Sequence, residues 1–222
     1  MCSVWSLPCA TRWPEAGMWK RLFDVLGAGF GLVLLSPLLL GIALWIKLDS
    51  RGPVFFRQLR VGRFGVPFHI HKFRSMREDA PLAGPQITVD ADPRITRAGL
   101  FLRRTKLDEL PQLLDVLAGT MSLVGPRPEV PRYVAMYPLA VREKVLSVRP
   151  GITDPASIAY RDESTLLARA ADPERVYVEQ IMPAKLRYAA EYVDHMSLAN
   201  DLRLIGATLK ALLARGAADA VD

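Results

Sequence analysis

The chain has 222 residues, half of them hydrophobic, and a formal charge of +6. That length suits one compact domain with appendages, and the basic balance points to an anionic partner: phosphate, lipid headgroups or nucleic acid. The two cysteines, Cys2 and Cys9, both lie near the N-terminus, which excludes a disulfide framework or a cysteine-based metal site in the body and fits a reducing compartment.

Residues 1–17 show no basic stretch leading into a short apolar run and a cleavage site, so they read as a flexible leader and not as a signal peptide. Leu22 to Ile46 is a run of 25 residues with one charge, Asp24. As helix it would measure about 37 Å, enough to cross a hydrocarbon core of roughly 30 Å. Trp19 and Trp45 stand at its ends, where indole rings favour the water–lipid boundary. Both flanks are basic, so the charge asymmetry that orients spanning helices gives no direction. Pro37 interrupts the run, with no N–H for the carbonyl of Val33, and Ser36 can offer its hydroxyl there instead. A helix that bends and returns to the same face and an ordinary kinked crossing are equally open at this point. A buried core helix is a third option, disfavoured by the length of the run.

Between Lys47 and Arg77 stand eight basic residues against the single acid Asp49. Alone, such a run is a solvated face; beside an apolar segment it suits anionic headgroups. Val54–Gln58 and Pro67–Lys72, separated by VGRFG, predict a short hairpin. Residues 76–98 are rich in Pro, Gly and Asp and predict loop. A helix is expected to open at Asp108, with Pro111 in its first turn, and to end at Gly119. GPRP at Gly125–Pro128 predicts a stiff loop, and Arg132–Val148 a helix stopped by Arg149-Pro150-Gly151. Tyr177–Tyr192 predicts helix broken at Pro183. From Leu198 onward Leu202, Ile205, Leu209 and Leu212 recur at helical spacing, which predicts a helix packing that face on the core.

Asp108 and Glu109 follow the basic cluster Arg103-Arg104-Thr105-Lys106. At a helix start, beside cations, a carboxylate is expected to stay ionised. It can then attack phosphorus to form an acyl phosphate, while its neighbour holds Mg²⁺ together with phosphate oxygens. The plain alternative for an isolated Asp-Glu is a helix cap. Lys72 at the end of the second strand, Arg127 in GPRP and Arg149 in RPG supply separated cations, the arginines on rigid backbone, as a pyrophosphate substrate requires. His69 and His71 share one strand face with no third ligand nearby, so a metal site there is not expected.

These motifs come in one order: KRLFD at Lys20–Asp24, Ser36-Pro37, KFRSM at Lys72–Met76, DPRITRAG at Asp92–Gly99, RRTKLDELPQL at Arg103–Leu113, MSLVGPRPE at Met121–Glu129 and RPGIT at Arg149–Thr153. Over about residues 20–213 the series resembles the bacterial sugar transferases that prime glycan assembly, the monotopic polyprenyl-phosphate phosphoglycosyl transferases. The resemblance implies an α+β, mostly helical fold. Its expected parts are a re-entrant membrane helix with a Ser36-Pro37 break (residues 18–48), a short β-hairpin, and a cytoplasmic helical catalytic body (residues 49–215) with surface-lying amphipathic helices. A flexible tail, residues 216–222, is expected to follow.

It further implies that Asp108 is the nucleophile on a UDP-sugar and Glu109 the Mg²⁺ partner, with Lys72, Arg103, Arg127 and Arg149 handling phosphate. Polyprenyl phosphate would be the acceptor and UMP the leaving group, at the cytoplasmic face of the bacterial inner membrane. Membrane lipid is an expected partner, nucleic acid is not, and a homodimer is left open. Asp154-Pro155 after RPGIT and Thr120 before MSLVGPRP depart from the common pattern of the family and bear on sugar choice. The competing readings are a non-catalytic, basic, membrane-anchored adaptor and a phosphatase acting on the lipid carrier.

Overall fold

The computed structural model describes residues 17–77 and 92–218. Of the expected leader only Gly17 is among them; Cys2, Cys9 and the last four residues of the expected tail lie outside the described residues.

Helix α1 (Met18–Asp49) is continuous for 32 residues, about 48 Å at the α-helical rise. Its buried residues are Lys20, Asp24, Ala28, Ile42 and Ile46, with Leu32 and Leu39 partly buried between them. Those positions form one stripe at helical spacing, so both ends of α1 rest on the same body. The rest of its circumference is apolar and open, with Val33 76% and Leu48 78% exposed. It is the one helix among the described residues long and apolar enough to cross a membrane. Pro37 sits inside it without ending it, and Ser36 Oγ donates to the Val33 carbonyl at 2.8 Å, as expected for the acceptor that Pro37 cannot serve.

Strands β1 (Phe55–Val61) and β2 (Pro67–Phe73) form the antiparallel hairpin, in register from Phe55 with Phe73 to Val61 with Pro67. Arg74, just past β2, donates to Ser50 O at 2.7 Å and to Ser50 Oγ at 2.9 Å, which fastens the hairpin to the C-terminal end of α1. Helix α2 (Arg97–Thr105) begins inside the segment expected to be loop; Thr96 caps it, its hydroxyl accepting from Gly99 N. Gly99 is required there, since a Cβ would fall 2.0 Å from the Ser75 carbonyl oxygen.

The helix expected to open at Asp108 does not. Leu107–Glu109 is a single 3₁₀ turn, and α3 (Gln112–Ala118) starts after Pro111. Pro111 lacks the N–H that an α-helix would direct at the Leu107 carbonyl, so the chain closes the tighter bond from Leu110 N to Leu107 O instead. Strand β3 (Ser122–Val124) pairs in parallel with β4 (Gly151–Thr153), a small sheet absent from the sequence expectations. Between them the expected single helix is two, α4 (Pro131–Val134) and α5 (Leu139–Val145), because Pro138 disfavours helical backbone at Tyr137.

Short helices α6 (Pro155–Ala159), α7 (Glu163–Ala168) and α8 (Pro173–Val176) lead to a π-helical turn, Tyr177–Ile181. That turn runs into α9 (Met182–Asp194), with Pro183 in the first turn of α9, so the expected break is a change of helical type. Helix α10 (Leu198–Ala218) packs through Asp201, Leu204, Ile205 and Thr208, while Leu202 and Leu209 are exposed. The rotation differs from the expected face because Asp201 is anchored at 2.7 Å to the buried Lys20 of α1.

Candidate active site

One open cleft of about 1060 Å³ is bounded by the hairpin, α2, the 3₁₀ turn, the GPRP loop and helices α4, α6, α7, α9 and α10. A space that large accommodates a nucleotide-sized ligand. Asp108 and Glu109 both line it. The backbone brings them there through Lys106, which closes α2 in the left-handed conformation, φ 59°. A residue with a side chain pays about 1 kcal/mol for that conformation relative to glycine. It turns the chain sharply from α2 into the 3₁₀ turn.

The two acids differ in state. Glu109 receives Lys72 Nζ on Oε1 at 2.8 Å and Arg127 Nη1 on Oε2 at 2.9 Å, and Arg127 Nη2 also grips Oε1. Burial works against its charge, but Arg127 and Lys72 outweigh burial and hold the carboxyl well below the usual range. Asp108 is only 8% exposed, and its Oδ1 has no hydrogen-bond partner among the described residues. Burial pushes its carboxyl upward, and the neighbouring Glu109 charge adds to this against Lys72 and Arg103. The expectation of a carboxylate favoured by a helix start is therefore corrected: Asp108 sits in a 3₁₀ turn, and burial outweighs the cations around it.

Arg127 is held from behind. Its backbone N–H donates to Asp154 Oδ2 at 3.3 Å, and Asp154 Oδ1 caps α6 by accepting from Ser157 N at 2.7 Å. Asp154, noted as a departure, is thus the support of the GPRP loop. The loop can approach β4 because neither Gly125 nor Gly151 has a Cβ; one on Gly151 would lie 2.1 Å from Gly125 N. Arg103 lines the cleft and reaches Ser75 Oγ at 3.4 Å.

The profile of the bacterial sugar transferases matches residues 15–215. The chain belongs to the bacterial sugar transferase family. It is 40% identical over 205 residues to the exopolysaccharide production protein PSS of Rhizobium leguminosarum bv. phaseoli, covering 89% of this chain and 96% of that protein. It is 38% identical over 196 residues to the UDP-glucose:undecaprenyl-phosphate glucose-1-phosphate transferase of Escherichia coli K12, covering 86% of this chain. It is 37% identical over 198 residues to the UDP-N-acetylgalactosamine-undecaprenyl-phosphate N-acetylgalactosaminephosphotransferase of Aeromonas hydrophila, covering 87% of this chain. The chain spans 39% and 43% of the length of those last two relatives.

In this member of the family the expected Asp108, Glu109, Lys72, Arg103 and Arg127 meet in one cleft. Arg149 does not join them: it does not line the cleft, and its Nε donates to the Gly119 carbonyl at 2.9 Å, closing the end of α3. Ser36 and Pro37 lie on α1 and take no part in the cleft. Further cations line it that the sequence reading did not assign to the site, Arg60 and Lys106 among them. Arg60 Nη1 donates to Glu129 Oε1 at 2.8 Å, and Tyr177 of the π-helical turn donates to Glu129 Oε2. Burial opposes the Glu129 charge, but Arg60, Lys185 and the Tyr177 hydroxyl together hold its carboxyl low. A signal for Lys106 was present, since it stands inside RRTKLDE, but its backbone conformation was not legible.

No group of three or more His, Cys, Asp or Glu gathers among the described residues. Mg²⁺ can be held by one or two carboxylates with phosphate oxygens and water completing its shell. The unpartnered Asp108 Oδ1 beside Glu109 fits that manner of binding. His71, expected to bind no metal, ties β2 to α3: its Nδ1 lies 2.7 Å from Asp115 Oδ1, and its backbone N–H donates to Asp115 Oδ2. Arg57 donates to Nε2, so Nε2 is the acceptor and Nδ1 carries the proton.

Proposed function

We propose that this protein moves a sugar-1-phosphate from a UDP-sugar to polyprenyl (undecaprenyl) phosphate, and so initiates assembly of a membrane-bound glycan: exopolysaccharide, O-antigen, capsule or glycoprotein. The observation that carries the reading is Asp108, a cleft carboxylate with a bare buried oxygen among Lys72, Arg103, Lys106 and Arg127. The printed names of the relatives support the donor and acceptor classes.

In the first half-reaction a carboxylate oxygen of Asp108 attacks the β-phosphorus. The bond from that phosphorus to the bridging oxygen breaks, and UMP departs with the bonding electrons. The phospho-sugar stays on Asp108 as an acyl phosphate. A phosphate oxygen of the lipid then attacks the same phosphorus, the acyl bond breaks, and Asp108 is released as carboxylate. Lys72 and Arg127 hold Glu109 in place and offer donors to phosphate oxygens; Arg103 adds a third cation. Glu109 would hold Mg²⁺ with the substrate phosphates, and the ion would neutralise phosphate charge.

Residues 18–48 lie in the membrane in this reading, entering and leaving at the cytoplasmic face, and residues 49–215 form the catalytic body. The packing of both ends of α1 on one polar body supports the re-entrant course, because a straight crossing would carry one end away from that body. A non-catalytic adaptor has no need for a buried carboxylate at the centre of a basic cleft.

The test is to incubate the purified protein with a panel of UDP-sugars and Mg²⁺, then weigh the intact chain. A mass gain of one phospho-sugar, with UMP in solution, is expected. UDP release would replace this reading with a glycosyl transfer, and turnover that releases UMP without any adduct would replace the covalent step with direct phospho-sugar transfer to the lipid.

A further inference from the structure

The cations of the cleft are not equally available. Lys72 and Arg127 are both bound to Glu109, and Arg60 is bound to Glu129. Lys106 lines the same cleft with an exposed side chain, and no hydrogen bond or ion pair holds its ammonium among the described residues. The carboxylates of Glu109 and Asp108 act on it only through space. Its position is fixed by backbone: the left-handed turn at φ 59°, ψ 15° places it between α2 and the turn that carries both acids. Glycine or asparagine is the residue that conformation favours. A lysine kept there, without a partner of its own, suits a group reserved for a ligand.

We propose that Lys106 is a catalytic cation of the first half-reaction, binding the phosphate that leaves with the nucleotide. This rests on the transferase reading above. As the bond between the β-phosphorus and the bridging oxygen breaks, the electron pair stays on that oxygen and negative charge grows on the departing UMP. Among the cleft cations without a bound carboxylate, Lys106 is the one that opens the turn carrying both acids, so it is placed to meet that growing charge, and its effect is felt most in the transition state. No proton needs to move. The protein around the ammonium lowers its pKa from the usual value, and the Arg127 and Lys72 charges add to this against Glu109 and Asp108.

The experiment compares wild type with Lys106→Met, Lys106→Arg and Lys106→Gly in single turnover, using whichever UDP-sugar loads the wild type. Adduct mass and UMP report the first half-reaction; thermal unfolding reports the fold. Lys106→Met and Lys106→Gly are expected to form the adduct about 100-fold more slowly, the scale of losing one preorganised charge-stabilising group. Lys106→Arg should retain most of the rate. Lys106→Gly should unfold at or above the wild-type temperature, so its lost rate cannot be attributed to misfolding. Adduct formation at the wild-type rate in Lys106→Met, with only transfer to lipid slowed, would overturn the proposal and leave the transferase reading intact. A wild type that forms no adduct with any UDP-sugar would overturn both.

Discussion

Asp108 and Glu109 are adjacent in the chain, yet Arg127 and Lys72 converge on Glu109 while Asp108 Oδ1 has no donor among the described residues. Neighbouring carboxylates with opposed environments divide the work of a site: one is held ionised by its partners and the other is kept reactive.

Asp108→Asn should abolish adduct formation and turnover while leaving the fold intact. At neutral pH it should also raise stability by about 1 kcal/mol, since it removes a buried charge that lacks a full set of partners. Thermal unfolding beside an intact-mass assay reads both. A less stable variant, or one with normal turnover, would contradict the role given to Asp108.

The pH dependence follows from burial raising the Asp108 carboxyl. The folded chain then binds its proton at a pH where the unfolded chain does not. Stability attributable to this group is therefore highest below the unfolded value of about 3.9 and declines as pH rises through the folded one. The stability gap between Asp108→Asn and wild type should close in acid. The rate of adduct formation should fall on the acid side at a pH above the ordinary carboxylate range.

Glu109→Gln should do the reverse to stability. It leaves Lys72 and Arg127 facing a neutral amide, and breaking a largely buried pair costs about 3 kcal/mol. Glu109 itself is held low, so its contribution is complete above about pH 4.3 and is lost only as pH falls toward its depressed folded value. Denaturant midpoints at pH 7 and pH 3 should show a large gap between variant and wild type at the first and a smaller one at the second.

Lys20 lies 3.0 Å from Asp24 and 2.7 Å from Asp201, and Tyr192 donates to Asp201 at 2.7 Å. Asp201→Ala should therefore loosen α10 from α1, at a loss of about 3 kcal/mol. Limited proteolysis in lipid nanodiscs should cut α10 first. Protection equal to wild type would mean that apolar packing alone seats the helix.

Pro37→Ala restores the N–H that the Val33 carbonyl lacks. Single cysteines placed at the two ends of α1 should then label from opposite faces of a vesicle, where the proposed re-entrant course has those of the parent helix label from one. Unchanged labelling would show that packing on the body, and not the proline, sets the course of α1.

Much of this site is local in sequence. RRTKLDE places cations and acids a few positions from each other, and the hairpin is written in two runs of β-branched or aromatic residues separated by VGRFG. Arg149 shows where such reasoning ends: its rigid RPG setting looked like that of Arg127, but the fold uses it on the Gly119 carbonyl. The sheet of β3 with β4 was hidden because each strand has three residues, too few for a pattern.

The sequence by itself determined the apolar helix, the proline inside it, the acid pair and the basic residues around that pair, because each depends on residues a few positions apart. Only the tertiary structure decided which cations reach which acid, which face of α10 is buried, and that Asp108 loses water while Glu109 gains partners. Those outcomes depend on burial and on contacts between residues tens of positions apart, and side-chain charge answers to that surrounding and not to the order of letters.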